Sequence, residues 1–322
     1  MAEAAIDTKT PIQSAERDEL IAELLDSIKQ HHYGPGVAHI EIHGNEVLGV
    51  KLVDGLEVVS HSIPDGVEVD IRVKKGVTIQ NPVHFCFGII PDNGVQRIIT
   101  RTVIEEGARA QFMAHCTFPN AVNVQHIMDA KVIIEKGAYL SYLERHVHGP
   151  KGGVTIVPKT EVRVEENGRY NTEFELIEGA AGAIDLDYKA TCAKGAVVDM
   201  KARIYGRLED RIHIREAVYL EGEESVGVLT SHIALKEKAQ AIVENEVIAS
   251  APLARGHVDC KEIIQGEAQA RAIPIVQVKD HRAHVTHEAA IGSVDSKQLE
   301  TLLSRGLSED QATDLIIKGL LS

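Results

Sequence analysis

The sequence predicts a mainly β fold, a parallel β-helix with two strands per coil, flanked by helical segments at both ends. Short runs that alternate β-branched and polar residues, such as Val67–Val73, recur between turns rich in glycine and charge. A turn motif also returns about every 30 residues. Almost no helical periodicity interrupts the region 37–292. These three observations assign residues 37–292 to the β-helix core.

The turn motif gives the length of a coil. Glu105-Glu106-Gly107-Ala108 returns about 30 residues later at 135–138, and related turns follow at 166–168 and 193–196. Later turns are spaced by about 15 residues, which fits one strand plus one turn. A coil of about 30 residues therefore contains two strands, and it buries its inward side chains only by stacking on its neighbours. A β-sandwich, whose turns are also closely spaced, is the alternative fold.

Residues 1–36 are expected to form an N-terminal helical segment. The run Thr10–Gln13 combines an N-cap threonine, a first-turn proline and a capping-box glutamine. Apolar residues then keep a helical period to about residue 30. These residues are Leu20, Ile21, Leu24, Leu25 and Ile28.

Residues 293–322 are expected to form a helical segment of two short helices. Asp295 caps the first helix, which Gly306 ends in the C′ position, and Ser308 and Gln311 form a capping box for the second. The pair cannot bury its apolar face between its own helices. It is interpreted either as a cap docked on the end of the solenoid or as a docking site for a partner. The apolar residues are Leu299, Leu302, Leu303, Ala312, Leu315, Ile316 and Leu320.

Composition limits the possible partners and compartment. The chain carries 34 Lys+Arg against 48 Asp+Glu, a formal net charge of −14 at pH 7, which argues against binding to nucleic acid or anionic lipid. No apolar run approaches the ~20 residues that a membrane-spanning helix requires, and we see no secretory signal. The four cysteines form no CxxC pair, which suits neither a disulfide framework nor a zinc finger. A cytoplasmic protein with reduced thiols is expected.

Few residues carry recognisable chemistry. Cys260 is a lone cysteine on a predicted strand, where a buried cysteine is usually a small core residue, but its neighbours are polar. A thiolate there is a soft ligand suited to iron or sulfur. His287 and Glu288 are adjacent, so on a strand they face opposite ways. His146 and His148 share one face of a predicted strand, a pattern that is frequent by chance.

Enzymatic activity is not expected from the motifs present. No GxSxG, HExxH or Walker pattern occurs, so this chain is not expected to hydrolyse ATP itself. A carbohydrate-active β-helix enzyme remains an alternative. Such an enzyme needs paired carboxylates and usually an aromatic platform for the sugar, whereas aromatic residues make up only 4% of this chain and tryptophan is absent.

Three segments of the C-terminal third follow in close order: ARGHVDC at 254–260, HEAAIG at 287–292 and SRGLSED at 304–310. In this order they resemble the C-terminal region of the SufB/SufD family, the scaffold subunits of the SUF system of iron–sulfur cluster assembly. The resemblance implies a right-handed parallel β-helix core. It also implies that the C-terminal helices grip a SufC-like ABC-type ATPase.

The same resemblance implies roles for individual residues. Cys260 matches the core cysteine used in cluster assembly, His287 the family histidine, and Glu288 the SufB-type glutamate. In the family these groups meet where two subunits join, which implies a homodimer or a pair with a paralogous scaffold, a transient cluster of iron and sulfide, and a sulfur donor protein. The implied ATPase-docking residues are Leu299, Leu302, Leu303, Arg305, Gly306, Leu307, Leu315 and Ile316.

The chain also departs from the SufB pattern. The long N-terminal extension of SufB and its cysteine-rich motif are missing, and Thr286 stands where a SufB-type glutamate often precedes the His-Glu pair. The presence of Cys260 and Glu288 is SufB-like, whereas the length is more SufD-like. Three roles stay open: a scaffold that acts alone, one half of a heterodimer, and an inert subunit that only stabilises a complex.

Overall fold

A computed structural model describes residues 5–7, 14–29, 33–34, 36–180 and 182–321. In these residues the chain is mainly β, with 59% of residues in strands, and it winds into a β-solenoid of about eight turns. In chain order the strands are β1 (Ala5–Asp7), β2 (His39–His43), β3 (Glu46–Lys51), β4 (Leu56–Ile63), β5 (Gly66–Val73), β6 (Val83–Gly88), β7 (Asn93–Ile104), β8 (Arg109–Phe118), β9 (Asn123–Ile134), β10 (Tyr139–His148), β11 (Val154–Val164), β12 (Arg169–Glu178), β13 (Gly182–Cys192), β14 (Val197–Gly206), β15 (Arg211–Leu220), β16 (Val226–Leu235), β17 (Gln240–Ala249), β18 (Arg255–Ile264), β19 (Gln269–Val278) and β20 (His284–Gly292).

The strands form two sheets of ten. The first sheet has the order β1-β4-β5-β7-β9-β11-β13-β15-β17-β19, and the second has the order β3-β2-β6-β8-β10-β12-β14-β16-β18-β20. From β5 onward successive strands alternate between the sheets, and each pairs in parallel with the strand one coil away. The predicted parallel β-helix with two strands per coil is therefore confirmed. Among the described strands, only β2 with β3 and β4 with β5 pair antiparallel, at the N-terminal end.

The turns stack in register, which explains the repeat in the sequence. The amide of Gly107 donates to the carbonyl of Lys136 at 3.0 Å, and the amide of Gly137 donates to that of Glu166 at 2.9 Å. Both glycines have φ near 70°, at 69° and 66°, a conformation that glycine adopts without strain. In the third turn Asn167 takes this left-handed position, at φ 58°, instead of the following glycine.

Inward side chains build one continuous core, but it is not purely apolar. The interior contains fully buried aromatic and aliphatic residues such as Tyr170 and Phe174. It also contains the buried polar residues Glu144, His146 and Glu216. A buried polar group lowers stability unless it is hydrogen-bonded, so these positions are the natural places to search for function.

The N-terminal helix α1 (Ser14–Ser27) packs on the outside of the second sheet. Its Leu24 is buried in a small cluster with Leu48 of β3 and Cys86 of β6. The helix therefore covers the outer surface of the first coils and is not part of their interior. The predicted capping run Thr10–Gln13 lies outside the described residues.

The C-terminal segment contains the two predicted helices, α2 (Ser296–Leu303) and α3 (Glu309–Leu320). Asp295 accepts a hydrogen bond from the amide of Gln298 at 2.7 Å, and Ser308 forms the predicted capping box in front of α3. Gly306 has φ 89°, but it lies two residues after the C-cap Ser304, one residue beyond the predicted C′ position. No helix in the described part of the chain is both long and apolar enough to cross a bilayer.

Helix α3 lies against the outer face of the second sheet. Its Ile317 and the following Leu321 are buried against Tyr205 of β14 and Ala234 of β16. The hydroxyl of Tyr205 donates to Asp314 of α3 at 2.7 Å. Outward residues of four coils form this apolar surface, namely Ile177, Tyr205, Ala234 and Ile263. Helix α3 therefore docks on the side of the solenoid, and the interpretation of the C-terminal helices as a cap on its end is wrong.

The C-terminal end of the solenoid is open. The inner faces of β19 and β20, which we call the open end, point into the interior of the last coil. Among the described residues no further coil covers them, and Val276, Val278 and Ile291 are 41%, 45% and 46% exposed. A solenoid coil buries its inner face only by stacking, so this face remains available for another molecule.

Candidate functional site

Cys260 lies on the inner face of β18, one coil before the open end. Its side chain is fully buried, and its Cα partners are Ser231 of β16 and Ala289 of β20. From the opposite sheet, Asn245 of β17 directs its amide group at the Cys260 sulfur at 3.4 Å. The thiol is therefore part of a polar network inside the solenoid rather than an isolated core residue.

The network extends from Cys260 across the interior. The side-chain amide of Asn245 also donates to the hydroxyl of Ser231 at 2.9 Å, and that hydroxyl donates to Glu216 of β15 at 3.5 Å. Burial raises the pKa of Glu216 to about 8. Glu216 is therefore mostly protonated at neutral pH, and it connects through two side chains to the thiol.

Burial also controls the chemistry of Cys260 itself. It raises the pKa of the thiol to about 12, and the nearby carboxyl of Glu262 adds to this effect. The free protein therefore holds a thiol at this position. A bound metal ion would displace the proton of Cys260 and convert it to a thiolate.

Glu262 lies two residues after Cys260 and faces the same way. It is 2% exposed, and neither carboxylate oxygen has a hydrogen-bond partner in the described residues. Burial, followed by the charge of Asp259, raises its pKa to about 7. In the sequence Glu262 is one of several polar neighbours of Cys260 and carries no motif of its own. The alternation of a strand places residues i and i+2 on one face, which was the available signal.

His287 shares this inner face. Its Cα partner is Val258, so on β20 it points to the same side as Val258 and Cys260. It lies on the neighbouring strand, two residues before Ala289, which is the Cα partner of Cys260. His287 is exposed because β20 belongs to the open end. The register of parallel strands therefore brings Cys260 and His287 to one surface.

Glu288 belongs to the other face of the same strand. Its Cα partner is Asp259, which accepts a hydrogen bond from the ammonium group of Lys261 at 2.9 Å. The pKa of Lys261 is raised mainly by that hydrogen bond, with a smaller contribution from the charge of Glu288. Glu288 therefore joins a charged cluster on the outer face, and within one chain it does not meet Cys260.

The inner face near the open end carries three side chains with different ligand atoms. Cys260 offers sulfur, His287 imidazole nitrogen and Glu262 carboxylate oxygen, all of which bind iron. Stable clusters are usually held by four thiolates, and this face supplies one.

Three of the eight predicted docking residues line an open groove of about 1020 Å³ between the two C-terminal helices and β18. Leu302, Leu315 and Ile316 line it, together with Ile263 of β18. No residue of α2 is buried, and Leu315 is 51% exposed. The remaining predicted residues lie on α2 or in the turn that follows it, namely Leu299, Leu303, Arg305, Gly306 and Leu307.

Comparison with known proteins identifies the family. Residues 91–320 match the model of the SufBD core domain, described as SUF system FeS cluster assembly. The chain is 35% identical over 312 residues to the iron–sulfur cluster assembly SufBD family protein MJ0034 of Methanocaldococcus jannaschii, covering 94% of this chain and 98% of that protein. It is 32% identical over 289 residues to the SufBD family protein PH0883 of Pyrococcus horikoshii, covering 90% of this chain and 88% of that protein. It is 25% identical to SufB of Bacillus subtilis over 259 residues, covering 78% of this chain and 54% of SufB. The chain therefore belongs to the SufBD family of iron–sulfur cluster assembly proteins.

Proposed function

We propose that this chain is a non-enzymatic cytoplasmic scaffold on which a transient iron–sulfur cluster is assembled at Cys260 and His287. The observation that carries the proposal is their common inner face beside the open end. Iron and sulfide reach this face without crossing the whole interior, because only the last coil separates Cys260 from solvent. Glu262, on the same face, supplies an additional oxygen ligand.

The open end supports assembly with a second scaffold. Its apolar residues Val276, Val278 and Ile291 remain exposed in a single chain. A second copy of this chain, or a paralogous scaffold, would cover them and bring two sets of Cys260 and His287 together. The joined site would then offer two thiolates and two imidazoles to one cluster.

The C-terminal helices support a SufC-like ABC-type ATPase as a further partner. A hydrogen bond from the hydroxyl of Tyr205 to Asp314 holds helix α3 on the second sheet. Arg203 also donates a hydrogen bond to the carbonyl of Leu321, directly after the helix. Ile263, in the groove, lies on the same strand as Cys260. Movement of the helices by a closing ATPase pair would therefore act directly on β18. A sulfur donor protein completes the proposed set of partners.

Substitution of the thiol tests the scaffold function. We expect Cys260→Ser to fold normally but to fail in anaerobic reconstitution with iron and sulfide, because serine cannot supply a soft ligand. Visible absorption and the iron and acid-labile sulfide content measure the result. Cys192→Ser is the matched control, since Cys192 is an equally buried inner-face cysteine on β13.

Full cluster assembly by Cys260→Ser would refute the proposal. That result would instead favour an inert subunit that only stabilises a complex. Equal loss in both variants would show that the effect comes from the disturbed core and not from the Cys260 ligand.

A further inference from the structure

A second group of metal-binding residues lies deep inside the solenoid, away from the open end. Cys116 of β8 and His146 of β10 are Cα partners on neighbouring strands, and both face inward. His126 of β9 faces them from the opposite sheet. One ligand atom from each residue lies within 4.8 Å of the other two.

The burial of these side chains calls for a ligand. His126 is fully buried, and neither of its ring nitrogens has a hydrogen-bond partner in the described residues. Each unsatisfied buried polar atom costs about 1–3 kcal/mol.

The hydrogen bonds of His146 resemble those of a metal-binding histidine. Its Nε2 lies 2.8 Å from a carboxylate oxygen of Glu144, and the other oxygen of Glu144 accepts a hydrogen bond from Tyr188 at 2.9 Å. A carboxylate in this position orients a metal-binding histidine and fixes its tautomer. The second nitrogen of His146, Nδ1, lies 3.3 Å from Nε2 of His148, close to the spacing of two ligand atoms on a tetrahedral ion.

We propose that Cys116, His126, His146 and His148 form a site for one resident divalent transition-metal ion, with Zn²⁺ as the best-suited ion. The ligand atoms of Cys116, His126 and His146 lie within 4.8 Å of one another, and His148 stands beside His146 as the fourth donor. One thiolate and three imidazoles are a donor set that suits zinc in a structural role. Binding converts the Cys116 thiol to a thiolate and releases its proton to solvent. The thiolate and the carboxylate of Glu144 together balance the two positive charges in the low-dielectric interior.

This site is separate from the proposed cluster-assembly site. In the second sheet β12, β14 and β16 lie between His146 on β10 and Cys260 on β18. Four steps between neighbouring strands, each about 4.8 Å, give a separation of about 19 Å. The ion would hold three early strands together, β8, β9 and β10, and would leave Cys260 free for its cargo.

Cobalt substitution tests the site directly. The full-length Cys260→Ser chain is denatured and refolded with Co²⁺, because the enclosed site is filled most readily during folding. We expect one Co²⁺ per chain, with the thiolate-to-cobalt charge-transfer absorption of a tetrahedral site, and one Zn²⁺ per chain when zinc replaces cobalt. The Cys260→Ser background removes any metal bound at the other thiol.

Variants locate the metal. Adding Cys116→Ser or His126→Phe should abolish the charge-transfer band, whereas adding Cys192→Ser should leave it unchanged. If the site variants fail to refold, the parent chain still decides: its melting temperature must rise with Zn²⁺ relative to a chelator. Sub-stoichiometric metal in the parent chain, an unchanged melting temperature, or a full band in the Cys116→Ser variant would each overturn the proposal. None of these results depends on whether Cys260 assembles clusters.

Discussion

At the scale of single residues, the solenoid interior contains buried carboxyl groups that lower its stability, and they lie near the two proposed sites. Glu144, Glu216 and Glu262 are buried carboxyl groups, and burial raises the pKa of each. Apolar residues at these inner positions would stack better. The buried carboxyl groups near Cys116 and Cys260 therefore depart from apolar core packing, and such departures are expected at functional sites.

Glu216 makes folding stability depend on pH. Its pKa rises from 4.5 to about 8 on folding, so below pH 4.5 both states are protonated. As pH rises from 4.5 to about 8, the unfolded state ionises first, so stability falls across this window and then levels off. We expect Glu216→Gln to reduce the decrease in the free energy of unfolding between pH 4.5 and 8. At pH 8 the free energy of unfolding should be about 2–4 kcal/mol higher than in the wild type.

Urea denaturation at half-unit steps from pH 5 to 8 measures this effect. Glu209→Gln, at an exposed turn position, is the control and should keep the wild-type slope. Part of the slope must survive in Glu216→Gln because Glu144 and Glu262 also titrate. An unchanged slope in Glu216→Gln would contradict the assignment of a raised pKa to this carboxyl.

Some residues could be placed on a strand face from the sequence, because their placement follows from strand alternation or family resemblance. Cys260, His287 and the opposite orientation of Glu288 were of this kind. Asn245 and the cluster around His126 were not, because they depend on which residues of the first sheet face which residues of the second. His146 and His148 were noticed as a pair, but Cys116 precedes His146 by one coil, and only the register reveals them as neighbours.

At the scale of elements, the C-terminal helices show which features are local. Their N-caps were predicted correctly because an N-cap side chain bonds a backbone amide only three residues away. Their position was not predicted, because Tyr205 and Ala234 lie about 80–110 residues earlier in the sequence and face outward. Local sequence determines where a helix begins, whereas the complementary apolar surface determines where it docks.

Two substitutions in α3 should separate folding from docking. Ile317 is fully buried against the sheet, so Ile317→Ala should cost about 2–5 kcal/mol locally and release the helix. Leu315 is 51% exposed in the groove, so Leu315→Ala should leave the helix in place and weaken ATPase binding. Hydrogen exchange of the helix amides and co-purification of the ATPase measure the two effects.

Leu315→Ala serves as the folding control for Ile317→Ala. Fast exchange in α3 of Leu315→Ala would mean that this residue holds the helix to the sheet. Unchanged ATPase binding by a folded Leu315→Ala protein would remove the groove from the proposed docking site.

At the scale of the whole molecule, the two ends of the solenoid differ. The coil repeat was visible in the sequence because each turn stacks on the next about 30 residues later. The state of each end was not visible, because a last coil has the same alternating pattern as an internal one. The N-terminal end has antiparallel strand pairs, whereas the C-terminal end leaves an apolar inner face exposed.

A charge in the open end should prevent self-association. Ile291 is 46% exposed on the inner face of β20, so Ile291→Asp would bury an unpaired carboxylate in any contact between two open ends. We expect sedimentation to show dimers for the wild type and monomers for this variant. Ile242→Asp is the control, since Ile242 is 39% exposed on the outer face of β17. Dimers of Ile291→Asp would place the contact elsewhere.

The difference between the ends also limits how far copies of this chain can stack. A solenoid with two open ends would add subunits head to tail and grow into a filament. Here the antiparallel pairs β2–β3 and β4–β5 reverse the strand direction at one end and interrupt the parallel stacking. In β19 and β20 only one edge of each strand is paired within the described residues. We expect two copies to pair through these edges, and we expect the antiparallel pairs at the other end to keep this stacking from continuing beyond a dimer.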